Sequence, residues 1–119
     1  MNLTIPGHET HIHRTNIEIA NLIFKYGFGG NRSLSYTTDI ISDKISFSYF
    51  SNHRKAYGEA IILIHIPKNI YWENLTNDVQ LEAFSKLFPD YEFDFLLPSN
   101  YIQGYFLNDK FIDNPNFKL

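Results

Sequence analysis

The chain reads as one α+β domain with a mixed or antiparallel sheet, and three observations carry that reading. Glu59 to Ile66 is an Ile-rich run long enough for a strand buried on both faces. Two stretches, one from Asn16 to Phe24 and one from Leu75 to Phe88, place apolar residues at helical spacing. Strand-like segments surround them, in the order strand, helix, strand, undecided segment, strand, helix, strands. At 119 residues the chain is predicted to be a single domain over 1–119.

Taken in order, Thr10 to Thr15 is β-branched enough for a short strand that puts His11 and His13 on one face. A helix comes next, with Ile17, Ala20, Ile23 and Phe24 as its stripe, Thr15 or Asn16 as cap and Gly27 as its end. Phe28 to Asn31, with its paired glycines, reads as a loop, and Leu34 to Thr38 as a strand. Asp39 is a candidate cap for the next segment. That segment, Ile40 to Ser51, satisfies both periodicities: Ile41, Ile45 and Tyr49 fit a helix, while Ile45, Phe47 and Tyr49 fit a strand. The central strand stops at Pro67, and the second helix starts at Thr76 or Asn77 and ends before Pro89. Tyr91 to Leu97, Tyr101 to Leu107 and Phe111 to Phe117 read as strands, the last two flanking a turn at Asn108-Asp109.

Composition narrows the chemistry. Ten Lys and Arg against thirteen Asp and Glu leave a net charge of −3, so broad nucleic-acid binding is not expected. With no cysteine, disulfides, Cys-ligated zinc and thiol catalysis are excluded. Eleven Phe, eight Tyr and one Trp supply the core and leave aromatic faces for a flat ligand or a protein partner. The N-terminus lacks the basic and apolar regions of a secretory signal, and no apolar run approaches the length of a membrane span. The expectation is a cytoplasmic protein without membrane contact.

Few clusters stand out. His8, His11 and His13 followed by Glu18 resemble the metal motif of cupin barrels, but Glu18 falls within a helix and no second His motif occurs downstream, so no metal is expected. His53 and His65 are isolated. No G-x-S-x-G elbow, P-loop or dinucleotide fingerprint is present, and Ser, His and Asp are too scattered to nominate a triad. His13 with His11 or His53 would supply the acid and base of a ribonuclease, without an evident phosphate grip.

Three segments resemble, in order, the motifs of the ADP-ribosyltransferase fold. His13-Arg14-Thr15-Asn16, a helix, and Gly27-Phe28 are similar to its opening "H-x-T … G-F". Leu34 to Asp39, then Ala56-Tyr57-Gly58 running into the central strand, resemble the second motif, a "Y-x-T/S" strand and a short helix ending "A-Y-G". Glu92 to Pro98 resembles the third, "E-x-E-V-L-L-P", with a "Y-I-x-G-Y" strand after it at Tyr101 to Tyr105.

The resemblance implies a split sheet with few helices, NAD+ as substrate in the cleft, and transfer of one ADP-ribose to a macromolecular acceptor, expected to be a protein. It implies that His13 bonds a ribose hydroxyl, that the backbone at Arg14 holds the nicotinamide amide, and that Thr15 braces the strand. Tyr36 would stack on nicotinamide with Tyr57 opposite it. Such chemistry needs no metal, only a grip on both riboses and stabilisation of a developing oxocarbenium. Asp94 stands where the family's catalytic glutamate belongs, and Glu92 lies two residues earlier on what would be one strand face. Either Glu92 serves, or Asp94 serves with shorter reach, or the site is inactive, since a misplacement of about 1 Å costs roughly a hundredfold. Arg14 also departs from the Gly of the poly-ADP-ribose members. Read without the resemblance, Tyr36 and Tyr57 are half-buried strand residues and Glu92 and Asp94 a solvated face. The small size suggests a toxin, effector or phage-encoded modifier; the alternative is a catalytically inactive domain that binds and inhibits a protein.

Overall fold

The computed structural model describes residues 2–31 and 38–119. Its centre is the strand predicted from the Ile-rich run, β4 at Ala60–Pro67. Strand β1 (His8–Thr15) pairs antiparallel along the whole of it, from His8 opposite Pro67 to Thr15 opposite Ala60. On the outer side of β1 lies β3 (Thr38–Ile41), with Thr38 opposite His13. On the other side of β4 lie β6 (Ile102–Leu107) and β7 (Lys110–Asp113), joined by a hairpin. The sheet order is β3-β1-β4-β6-β7, antiparallel at every pairing described. Two short strands, β2 (Phe28–Gly30) and β5 (Phe95–Leu97), form a separate ribbon. The class is α+β with few helices.

Both faces of β4 are covered, which is why its sequence is apolar without alternation. On the first face Ile62, Ile64 and Ile66 meet helix α1 (Ile17–Tyr26) through Ala20 and Ile23, together with Phe28, Trp72, Phe95 and Leu97. On the second, Leu63 joins Ile12 and Ile41 beneath helix α2 (Lys44–His53), which contributes Phe47 and Phe50. A third helix, α3 (Asp78–Leu87), has no buried residue.

Local chemistry sets the helix ends. The Asn16 side chain accepts from the Ile19 N–H at 2.8 Å, and the Asn77 side chain accepts from the Val79 and Gln80 N–H groups. The undecided Ile40 to Ser51 divides at Ser42: β3 ends at Ile41 and a reciprocal Asp43–Ser46 capping box starts α2. Asp39 is therefore a strand residue, not a cap, and its carboxylate pairs with Arg54 at 3.0 Å.

Other predicted elements need correction. Phe28 to Asn31 contains a strand, because its glycines permit close approach rather than a turn. A Cβ on Gly30 would lie 2.3 Å from the Phe95 ring, and one on Gly27, at φ +104°, 2.3 Å from the Leu97 carbonyl oxygen. Tyr91 to Leu97 is a strand only from Phe95, where pairing with β2 begins. Strand β7 stops at Asp113, and the buried Asn114 amide then bonds the carbonyls of Ser99 and Ile102. Leu75 belongs to a 3-10 turn at Trp72–Leu75, ahead of α3. Leu34 to Thr37 lies outside the described residues; Thr38 begins β3.

Candidate functional site

The gap between the two sheets contains a groove of about 430 Å3, within the range of small-molecule sites. His13 reaches it from β1, and Leu22 from α1. Alternation along β1 puts His13 on the first face, its ring edge-on to Phe28 with centroids 4.8 Å apart. The opposite wall is aromatic, made by Phe84 of α3 and Phe88 just past its end, with Tyr91 and Phe93. Phe84 holds this wall together, its ring 5.0 Å from Phe88 and 4.8 Å from Phe93. Gly29 lies beneath: a Cβ there would stand 2.7 Å from Phe84 and 3.0 Å from Phe93. The cleft is thus shaped for a flat, mostly apolar ring beside an imidazole.

The sequence-predicted residues divide around this groove. His13 lines it. Arg14, the next residue on β1, turns to the second face, where its guanidinium donates to the Gly58 carbonyl at 2.9 Å and the Ser51 carbonyl at 3.0 Å. Its side chain therefore ties α2 to the strand. Thr15 is buried at the strand end, and Gly58 presses on it so closely that a Cβ would fall 2.2 Å from the Thr15 carbonyl carbon. First and second motifs consequently meet at the β1–α1 junction. Tyr57, on a 3-10 turn at Lys55–Tyr57, is 64 % exposed and does not line the groove. Tyr36 lies outside the described residues.

Glu92 and Asp94 are both exposed and precede β5, so they do not share a strand face as the alternation predicted. They interleave with Tyr91 and Phe93 of the groove wall, and the backbone fixes their position. The Asp94 N–H donates to the Gly30 carbonyl at 2.8 Å, and the Asn31 amide donates to the Glu92 carbonyl at 3.1 Å. Third and first motifs therefore meet across the β2–β5 ribbon.

The remaining histidines are accounted for locally. The His8 ring bonds the Pro6 carbonyl at 3.0 Å, and Glu18 is exposed on α1. Among the described residues no group of three or more His, Asp or Glu could hold a metal ion. His53 ends α2, packed 4.3 Å from Tyr49, on the face of the sheet opposite His13, so those two do not form an acid-base pair. His65 is fully buried between the Thr10 hydroxyl at 2.9 Å and the Gln103 side chain at 2.6 Å. Burial holds its pKa below the ordinary value, against the opposing effect of the Gln103 bond. His11, also depressed mainly by burial, is bonded to Glu9 and Thr38.

Sequence reasoning missed the α3 contribution. Phe84 and Phe88 read as the core stripe of an amphipathic helix, and periodicity does not distinguish a core from a groove wall. Among the described residues no helix is long and apolar enough to cross a membrane. No family model, curated protein or solved structure shows a significant match to the chain.

Proposed function

We propose that the chain is an NAD+-dependent mono-ADP-ribosyltransferase that modifies a macromolecular target, as a small toxin, effector or phage-encoded modifier would. The observation that carries the reading is that the first segment touches the other two, at Gly58 beside Arg14 and Thr15 and along the β2–β5 ribbon, while His13 faces a ring-sized aromatic groove. In this reading the nicotinamide end of NAD+ enters the groove against Phe93 and Phe84, and His13 bonds a ribose hydroxyl. Glu92 or Asp94, at the groove margin, stabilises the charge that develops as the glycosidic bond to nicotinamide breaks. Nicotinamide departs with the bonding electrons, and a nucleophile on the acceptor takes the ribose carbon.

Incubating the full chain with NAD+ labelled in its adenylate half and a cell lysate tests this. The expected result is a labelled macromolecular product, lost in His13→Ala and in the Glu92→Gln, Asp94→Asn double variant. Absence of product and of nicotinamide release overturns it.

A second reading, an inactive domain that binds a protein, is favoured by the exposure of the two carboxylates and of Ile45 and Tyr49 on α2, at 80 % and 59 %. It requires biological activity to survive His13→Ala and to fail in Ile45→Ser, Tyr49→Ser.

A further inference from the structure

A second cluster lies on the same face of β1, away from the groove. Glu9 and His11 are two residues apart and so project together, and Thr38 reaches them from β3. The Glu9 carboxylate stands 2.8 Å from Nε2 of His11, and the Thr38 hydroxyl 3.1 Å from Nδ1. This arrangement fixes the tautomer. A carboxylate only accepts, so Nε2 carries the proton and donates it to Glu9; Nδ1 then presents a lone pair, and the Thr38 hydroxyl must donate to it. Trp72 holds the ring in place, edge-on at 5.0 Å.

We propose that Glu9, His11 and Thr38 form a catalytic site in which the Thr38 hydroxyl attacks the acyl carbon of a carboxylic ester. The arrangement is that of an activated nucleophile: hydroxyl and base within hydrogen-bond reach, the base oriented by a third group. It lines a cavity of about 660 Å3, enough for a small ester. Ile70, Tyr71 and Trp72 give that cavity an apolar and aromatic wall, which suits an ester with an apolar acyl or aryl group. Lys68 is in the same wall, a cation for the oxygen on which negative charge develops.

In the first step the Thr38 Oγ1–carbon bond forms as the hydroxyl proton passes to His11 Nδ1. The resulting imidazolium is stabilised by Glu9 and gives that proton to the leaving alkoxide as the ester C–O bond breaks. Water, deprotonated by His11, then cleaves acyl-Thr38, releasing the acid and restoring the hydroxyl. Glu9 is a positioning residue; His11 and Thr38 are the catalytic ones. None of these steps involves NAD+ or the groove at His13.

The full chain is treated with a fluorophosphonate and, separately, with p-nitrophenyl butyrate, and the adduct is located by peptide mapping. The expected result is a phosphonyl adduct on Thr38 with ester turnover, both lost in Thr38→Val and restored in Thr38→Ser. His11→Gln slows labelling by at least about a hundredfold. Glu9→Gln lowers the maximal labelling rate without changing the probe concentration that half-saturates it. If His11→Gln fails to fold by circular dichroism, the Thr38→Val and Thr38→Ser pair decides. No adduct on Thr38 in the unmodified chain, or labelling at an unchanged rate in folded His11→Gln, overturns the proposal.

Discussion

Helices α1 and α3 have the same length and the same kind of cap, yet occupy opposite extremes of burial. Each spans ten residues behind an asparagine whose side chain accepts from the first turn. Helix α1 sinks Ala20 and Ile23 into the first core, whereas α3 buries nothing completely and leaves Val79 77 % and Leu87 55 % exposed. The difference lies in what each helix meets. Beneath α1 is the apolar face of β4; beneath α3 is the rim of a groove, where Phe84 packs against Gly29 and Phe93 without filling the space. Helix α1 belongs to the stability of the fold, and α3 to the shape of the site. Segments with few buried apolar contacts open locally at lower free energy than the core, so α3 is expected to open more readily than α1.

The largest effect that separates the two helices is core truncation. Ile23→Ala is expected to cost about 2–4 kcal/mol, while Val79→Ala stays within about 0.5 kcal/mol, both read by urea unfolding. Equal losses would show that α3 is as much a core helix as α1. Gly27→Ala comes next, at about 1–3 kcal/mol, because its φ of +104° and the Leu97 carbonyl both oppose a Cβ. A change within error would mean that the β2–β5 ribbon yields at that point.

Cap removal separates the helices more finely. Asn16→Ala and Asn77→Ala each delete a helix cap worth about 1 kcal/mol. The first is expected to lower global stability. The second is expected to accelerate hydrogen exchange of α3 amides while leaving β4 protection unchanged. The smallest effect is acid sensitivity, which belongs to the sheet. His11 and His65 both have pKa values depressed below the ordinary 6.5, so the unfolded chain binds more protons than the folded one as pH drops below that value. Stability is then full above about pH 6.5 and declines as pH falls through the folded pKa values. The groups facing His65 are Thr10, Gln103, His8 and Phe117, and those facing His11 are Glu9, Thr38 and Trp72. His65→Gln is expected to flatten part of the profile measured by thermal unfolding from pH 5 to 7.

Much of the fold is legible in the sequence wherever one interaction dominates. Glu59 to Ile66 reads as a doubly covered strand and is found as one at Ala60–Pro67, and Asn16, one of the two cap candidates with Thr15, brackets α1 with Gly27 because cap and stop are local chemistry. Legibility fails where tertiary context decides. Gly29 and Gly30 read as a turn because sequence does not reveal that Phe84, Phe93 and Phe95 lie against them. Glu92 and Asp94 alternate like a strand face, but strand pairing begins only at Phe95. That His13 shares a face of β1 with His11 is legible from alternation, whereas the aromatic wall that His13 faces depends on where α3 lands. The Glu9–His11–Thr38 relay is half visible as an i, i+2 pair on β1; its hydroxyl arrives from another strand.

Calorimetric titration of NAD+ into the full chain, compared with His13→Ala and with Gly29→Leu, decides whether the groove beside β1 holds the nicotinamide end of the dinucleotide. A leucine at position 29 would occupy the space between Phe84 and Phe93. The expected result is saturable binding to the unmodified protein, severe weakening in His13→Ala, and none in a folded Gly29→Leu. No binding to the unmodified chain, or equal affinity in all three proteins, contradicts a nicotinamide site there.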